Sequence, residues 1–122
     1  MKIAITASGE DLNSPVDRVF GRARFFVIMD PEETSIEVLE NSQNVNAAQG
    51  AGIQAAQQIA NKCIDVVLTG NVGPNAFRAL DAVSIKVYQF GSDILTVHDA
   101  VAAWKEGRLQ EVTAPTAEGH GF

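Results

Sequence analysis

Sulfur chemistry is nearly missing from this chain, which has one cysteine, Cys63. A lone thiol closes no internal disulfide and excludes every CxxC metal or redox motif, as expected in a reducing compartment. Long apolar runs are missing as well. None approaches the roughly 20 residues that span a bilayer, and Met1-Lys2-Ile3-Ala4-Ile5 runs straight into a strand pattern rather than a signal peptide. A cytoplasmic protein is therefore expected. Positive charge is scarce, with 9 Lys and Arg against 15 Asp and Glu, and the net charge of −6 argues against nucleic acid or an anionic membrane as partner.

The usual catalytic sets are also short of members. Gly70-x-x-Gly73 is not followed by Lys and Ser or Thr, and no GxGxxG occurs, which removes the P-loop and dinucleotide fingerprints. No pair among Cys63, His98 and His120 has a metal-ligand spacing. Cys63 falls on the apolar stripe of a predicted helix and reads as a buried, inert thiol. His98 falls in the first turn of another helix, a poor place for a cation. His120, between Gly119 and Gly121, is the one candidate metal ligand, with a solvated ring as the plainer reading.

What the 122 residues do contain is enough apolar sequence, 46%, for one compact domain. Residues 1–112 read as that domain and 113–122, small, polar and Gly-rich, as a flexible tail. Lys2 to Ala7 alternates without exposed charge and reads as a central strand. Phe25 to Met29 is a second strand, and the short turn at Pro31 to Thr34 makes the third, around Ile36 and Val38, its hairpin partner. Ile53, Ala56, Ala60 and Cys63 then recur at helical spacing, predicting a helix from about Ala48 to Lys62. Val66 to Leu68, Pro74 to Ala82 and Ile85 to Tyr88 follow as strand, helix and strand. Thr96-Val97-His98-Asp99 forms a capping box for a third helix, with Val97, Val101 and Trp104 inward and Gly107 as its stop. Right-handed crossovers make the strand-helix-strand units parallel. The expected fold is an α/β, three-layer, five-stranded mixed sheet of order 3-2-1-4-5, with strand 2 antiparallel.

That order brings Ser8, Gly9, Arg22, Asn41 to Asn44, Gly70 to Gly73 and Gly91-Ser92 to one rim, at the carboxyl ends of the parallel strands where such sheets bind ligands. Two features there suit an anion. Arg18, Arg22 and Arg24 lie within seven positions, although ion pairs to Asp11 or Asp17 are an alternative use for them. Leu68-Thr69-Gly70-Asn71-Val72-Gly73-Pro74 ends a strand in a glycine turn that opens into a helix, with Pro74 at the first helical position, so free N–H groups face outward. A plain strand-to-helix connection would look the same. Ribonuclease-H-like nucleases share this strand order, but two-metal hydrolysis needs inward carboxylates, and strand one carries only Ile3, Ala4, Ile5 and Thr6.

Phe20-Gly21-Arg22-Ala23 with Phe25-Phe26, Glu40-Asn41, Gly50-Ala51-Gly52 and Leu68-Thr69-Gly70-Asn71-Val72-Gly73-Pro74-Asn75-Ala76, in this order, resemble the dinitrogenase iron–molybdenum cofactor biosynthesis family over roughly residues 2 to 106. The resemblance implies a ribonuclease-H-like fold without nuclease activity and a role in holding a metal–sulfur cluster or its precursor. That cargo would be of iron–molybdenum cofactor type, or molybdenum–copper sulfide as in the sibling orange proteins of sulfate reducers. Val72 stands where some relatives have Cys, which implies non-covalent holding. The implied site is Ser8, Gly9, Arg22, Arg24, Asn41, Asn44, Gly70, Asn71, Val72, Gly73 and Asn75, and the implied partners are cluster donor or acceptor proteins. A scaffold domain that binds a protein through the same rim, or a hydrolase of a phosphorylated metabolite, are the alternatives.

Overall fold

The computed structural model describes residues 1–32, 35–41 and 51–116. Strands β1 (Ile3–Ala7), β2 (Phe25–Met29), β3 (Ile36–Glu40), β4 (Val66–Thr69), β5 (Lys86–Gln89) and β6 (Gln110–Glu111) form one mixed sheet of order β3-β2-β1-β4-β5-β6. β1 is fully buried and central, antiparallel to β2 and parallel to β4, while β2 and β3 form the expected antiparallel hairpin. The sheet has six strands, not five. The sixth is two exposed polar residues antiparallel to β5, too short to leave a periodic signal in sequence.

Alternation along the strands builds two cores. Ile3, Ile5, Val27, Met29, Val66 and Leu68 face helix α3 (Val97–Lys105) and its buried Val97, Ala100, Val101 and Ala103. Ala4, Phe26, Ile28, Val67 and Val87 face α1 (Ala51–Asn61) and α2 (Pro74–Ala82) through Ala55, Ala56, Ile59, Ala76 and Leu80. Each buried Leu, Ile or Val contributes about 1.5–3 kcal/mol from removal of its apolar surface from water. Helices therefore cover both faces.

The α3 signals hold in detail. The Thr96 side chain accepts from the Asp99 N–H, the Asp99 carboxylate accepts from the Thr96 N–H, and Gly107, at φ +73°, follows the helix end. The first helix differs from expectation. Its predicted start at Ala48 lies outside the described residues, and its end comes at Asn61, before Lys62. Cys63 is consequently not on a buried stripe. It sits past the helix end, exposed, with a φ of +58°, and the inward positions belong to Ala55, Ala56 and Ile59. No helix among the described residues is long and apolar enough to cross a membrane.

Candidate functional site

Two loops meet at the carboxyl end of the central strands. Val19 bridges Asn71 in parallel, and the Phe20 N–H donates to the Asn71 carbonyl at 2.9 Å. A single 3-10 turn, Phe20–Arg22, starts from that contact, with Phe20 buried against Phe26. Arg22, half-buried at the end of the turn, is thereby carried beside the turn that follows β4. Asn41 holds this geometry. It is 1% exposed, its Nδ2 donates to the Ala23 carbonyl at 2.8 Å, and its N–H donates to the Arg24 carbonyl at 2.9 Å. Its side-chain amide thus serves the loop that bears Arg22.

The glycines of the β4–α2 turn divide the work. A Cβ on Gly70 would lie 2.6 Å from the Arg18 carbonyl oxygen and 3.0 Å from its Cα, so Gly70 is required by the chain that crosses it. The close approach that Gly70 permits is thus made to protein backbone. Gly73 meets nothing within 4 Å at the same construction and caps α2 without any side-chain hydrogen bond. Pro74 at the first helical position has no N–H, and the N–H groups of the next two residues have no acceptor a turn earlier in the helix. Among the described residues, nothing obstructs the turn at Gly73 itself. Asn75 is exposed, and its Oδ1 accepts from Arg78.

The arginine cluster separates into distinct roles. Arg18 belongs to the fold: its Nη1 donates to the Gly91 carbonyl at 2.9 Å, its Nη2 to the Ile94 carbonyl at 2.7 Å, and its guanidinium stacks over Phe90 at 5.7 Å. It clamps the β5–α3 connection onto the rim. Asp17 closes the same loop, accepting from the N–H groups of Arg18 at 3.1 Å and Arg24 at 3.3 Å. Burial raises its pKa above the ordinary value, against the opposing pull of those two N–H groups and of the Arg24 charge. Beneath it, the buried Thr6 hydroxyl donates to the Asp17 carbonyl at 2.6 Å and lies 3.1 Å from the Thr69 hydroxyl. Ser8 turns both its N–H and its hydroxyl to the Pro15 carbonyl, and Gly9 lies against Ser14, so both of these rim candidates are engaged within their own loop.

The tail supplies a contact that sequence reading missed. After β6, the Val112 N–H donates to the Val87 carbonyl at 2.8 Å. Thr116 then pairs with Val72 in both directions. Its Oγ1 accepts from the Val72 N–H at 2.8 Å, and its own N–H donates to the Val72 carbonyl at 3.0 Å. The Val72 N–H, one of the expected anion donors, is thus already engaged. A Thr between Pro115 and Ala117 carries no local signal for such a distant partner. Asn44 and His120 lie outside the described residues. Among the described residues no three His, Cys, Asp or Glu side chains are grouped to hold a metal ion, and Cys63 stands before β4, at the end of the sheet opposite the rim.

A guanidinium-bearing turn set beside an uncapped helix start is the arrangement that comparisons with known proteins must explain. The family model described as dinitrogenase iron-molybdenum cofactor matches residues 1–107. The chain belongs to that family. The apo form of the orange protein from Desulfovibrio gigas superposes with a TM-score of 0.89 at 41% identity, covering 95% of this chain and 96% of that one. A putative NifB protein from Thermotoga, of the DUF35 family, gives 0.83 at 41% identity over 97% and 98% of the two chains. An uncharacterized protein of Methanocaldococcus jannaschii is 28% identical over 114 residues, 91% of each chain. The two solved structures thus share the fold over 95% and 97% of this chain.

Proposed function

We propose that this family member is a non-enzymatic carrier, on a ribonuclease-H-like fold, for an anionic metal–sulfur cluster or its precursor. The cargo rests on the rim between Arg22 and the Asn71–Gly73 lip. The observation that carries this reading is the join of Val19 and Phe20 to Asn71, which sets the Arg22 turn beside the start of α2, where Gly73 makes no side-chain cap. The polar groups gathered there are a guanidinium and backbone N–H groups. These suit an anion that brings its own sulfide shell, because charge-assisted N–H contacts hold such a surface without replacing its ligands. A bare cation would need carboxylates, imidazoles or thiolates, and no such group is assembled among the described residues. The five buried residues of β1 include no carboxylate, which favours carrying over metal-dependent hydrolysis.

Family membership and the likeness to the orange protein support a cluster of molybdenum–iron or molybdenum–copper sulfide type. A carrier receives its cargo and hands it on, so a cluster-donating and a cluster-accepting protein are its expected partners. The test is titration of the protein with tetrathiomolybdate, with and without copper(I), followed by visible absorption. Arg22→Glu should weaken binding by roughly ten- to a hundredfold, the equivalent of about 1.5–3 kcal/mol for a charge-assisted contact. Cys63→Ala, at the far end of the sheet, should leave affinity unchanged. The opposite pattern, loss on Cys63→Ala and none on Arg22→Glu, would identify a thiolate site and end this reading.

A further inference from the structure

Thr116 reaches the same lip from a direction that the cargo site does not need. The chain leaves β6, drops Val112 against the α1–α2 core, and crosses to Val72 through four exposed residues, Thr113–Thr116. Pro115 has a fixed φ and keeps the residue before it extended, a shape that carries a strap across a surface rather than winding it. The segment lies wholly beyond residues 1–107, the part matched by the family model. Among the described residues, nothing apolar past Val112 is buried to hold it down. Among the described residues two hydrogen bonds fasten its end, one to the N–H and one to the C=O of Val72.

Val72 as a whole residue is 1% exposed, and its N–H and C=O are both covered by their hydrogen bonds to Thr116. Its N–H has one hydrogen to give. An anion that draws on the Val72 N–H therefore competes with the Thr116 Oγ1 for the same donor. Both cannot be served fully. Four exposed residues held at their end by two hydrogen bonds place this strap at the low-stability end of the molecule, where opening is easy.

Resting on the carrier reading above, we propose that Thr113–Thr116 is an autoinhibitory strap: Thr116 satisfies the Val72 peptide when no cargo is held and is displaced when an anionic cluster takes the Val72 N–H. A strap that stabilises only the free state lowers apparent affinity by the factor it contributes to that state. For the hydroxyl bond this is roughly three- to tenfold.

The experiment compares tetrathiomolybdate titrations of the wild type, Thr116→Val, Thr116→Pro and Thr116→Ser, together with amide hydrogen exchange at Val72 and Thr116. Thr116→Val removes the acceptor, Thr116→Pro removes both bonds, and Thr116→Ser keeps both. The first two should bind more tightly by roughly three- to tenfold, and the serine variant should match the wild type. In the wild type, saturating tetrathiomolybdate should speed exchange at the Thr116 amide while the Val72 amide stays protected. Binding that is equal or weaker in Thr116→Val and Thr116→Pro, with Thr116 exchange unmoved by the anion, overturns the strap alone. Absence of binding in all four proteins overturns the carrier reading, and the strap with it.

Discussion

At the lower end of the sheet, where β4 and β5 begin, α1 and α2 are each followed by a residue of positive φ that is not glycine, Cys63 at +58° and Ser84 at +63°. At the rim, where Gly9, Gly70, Gly73 and Gly91 gather, not one of these glycines has a positive φ. The two ends use their residues for opposite reasons. Below, the chain tolerates left-handed geometry on ordinary side chains, costing roughly 1–2 kcal/mol at each, and ties the end together with charge. There the Lys62 ammonium pairs with Glu37, holding that carboxyl below its ordinary range, and the Lys2 N–H donates to the Asp65 carboxylate at 2.9 Å. Above, glycine is used for its missing Cβ, because one loop must lie directly on another. An end built from crossing backbones and short of side chains is one where peptide N–H groups can face a ligand.

The largest effect that would break this comparison is at Gly70. Gly70→Ala drives a Cβ into the Arg18 backbone, which cannot swing aside as a side chain could, and should cost about 2–4 kcal/mol in urea unfolding. A neutral result would mean that the crossing is looser than described and that Gly70 serves some other purpose. At the lower end the sign reverses. Cys63→Gly should relieve the left-handed strain and stabilise the protein by about 1 kcal/mol, raising Tm by roughly 3–5 °C. Destabilisation there would show that the Cys63 side chain packs more than its exposure suggests.

The smallest effect concerns Asp17, the half-buried carboxylate beneath the rim. Its folded pKa is raised, so the native state binds its proton more readily than the unfolded chain does. The corresponding stability is fully present below the ordinary value of 3.8 and is lost as pH rises through the folded pKa. Asp17→Asn should flatten that fall, so that the wild type compares most favourably with the variant under acid conditions and least at neutrality. Unfolding at the two pH values checks the sign. A reversed order would mean that the Arg24 charge and the two N–H donors outweigh burial.

Several parts of the rim are legible in the order of residues alone. The arrangement of the first five strands follows from the tight hairpin after Met29 and the alternation of strand and helix beyond it. Pro74 marks the start of α2 to the residue, and the Thr96 capping box that of α3. The arginine cluster is visible as a cluster, but its division is not. Arg18 and Arg22 are equivalent on paper, and only the positions of the Gly91 and Ile94 carbonyls turn the first into a clamp for the fold. Asn41 reads as a rim ligand and is a buried brace. The last apolar residue in the α1 pattern, Cys63, lies beyond the helix, since a 3.6-residue period says which face is inward but not where the winding stops.

By itself the sequence determined the strand faces, the starts of α2 and α3 and the meeting of an arginine turn with a glycine turn, because periods of 2 and 3.6 and the chemistry of caps are properties of the local backbone. Only the tertiary structure decided which donors remain on offer. The Gly70–Arg18 crossing, the Arg18 clamp and the Thr116 contact with Val72 each join residues far apart in the chain, and such a contact depends on where the packed sheet and helices leave two backbones, not on anything written beside either residue.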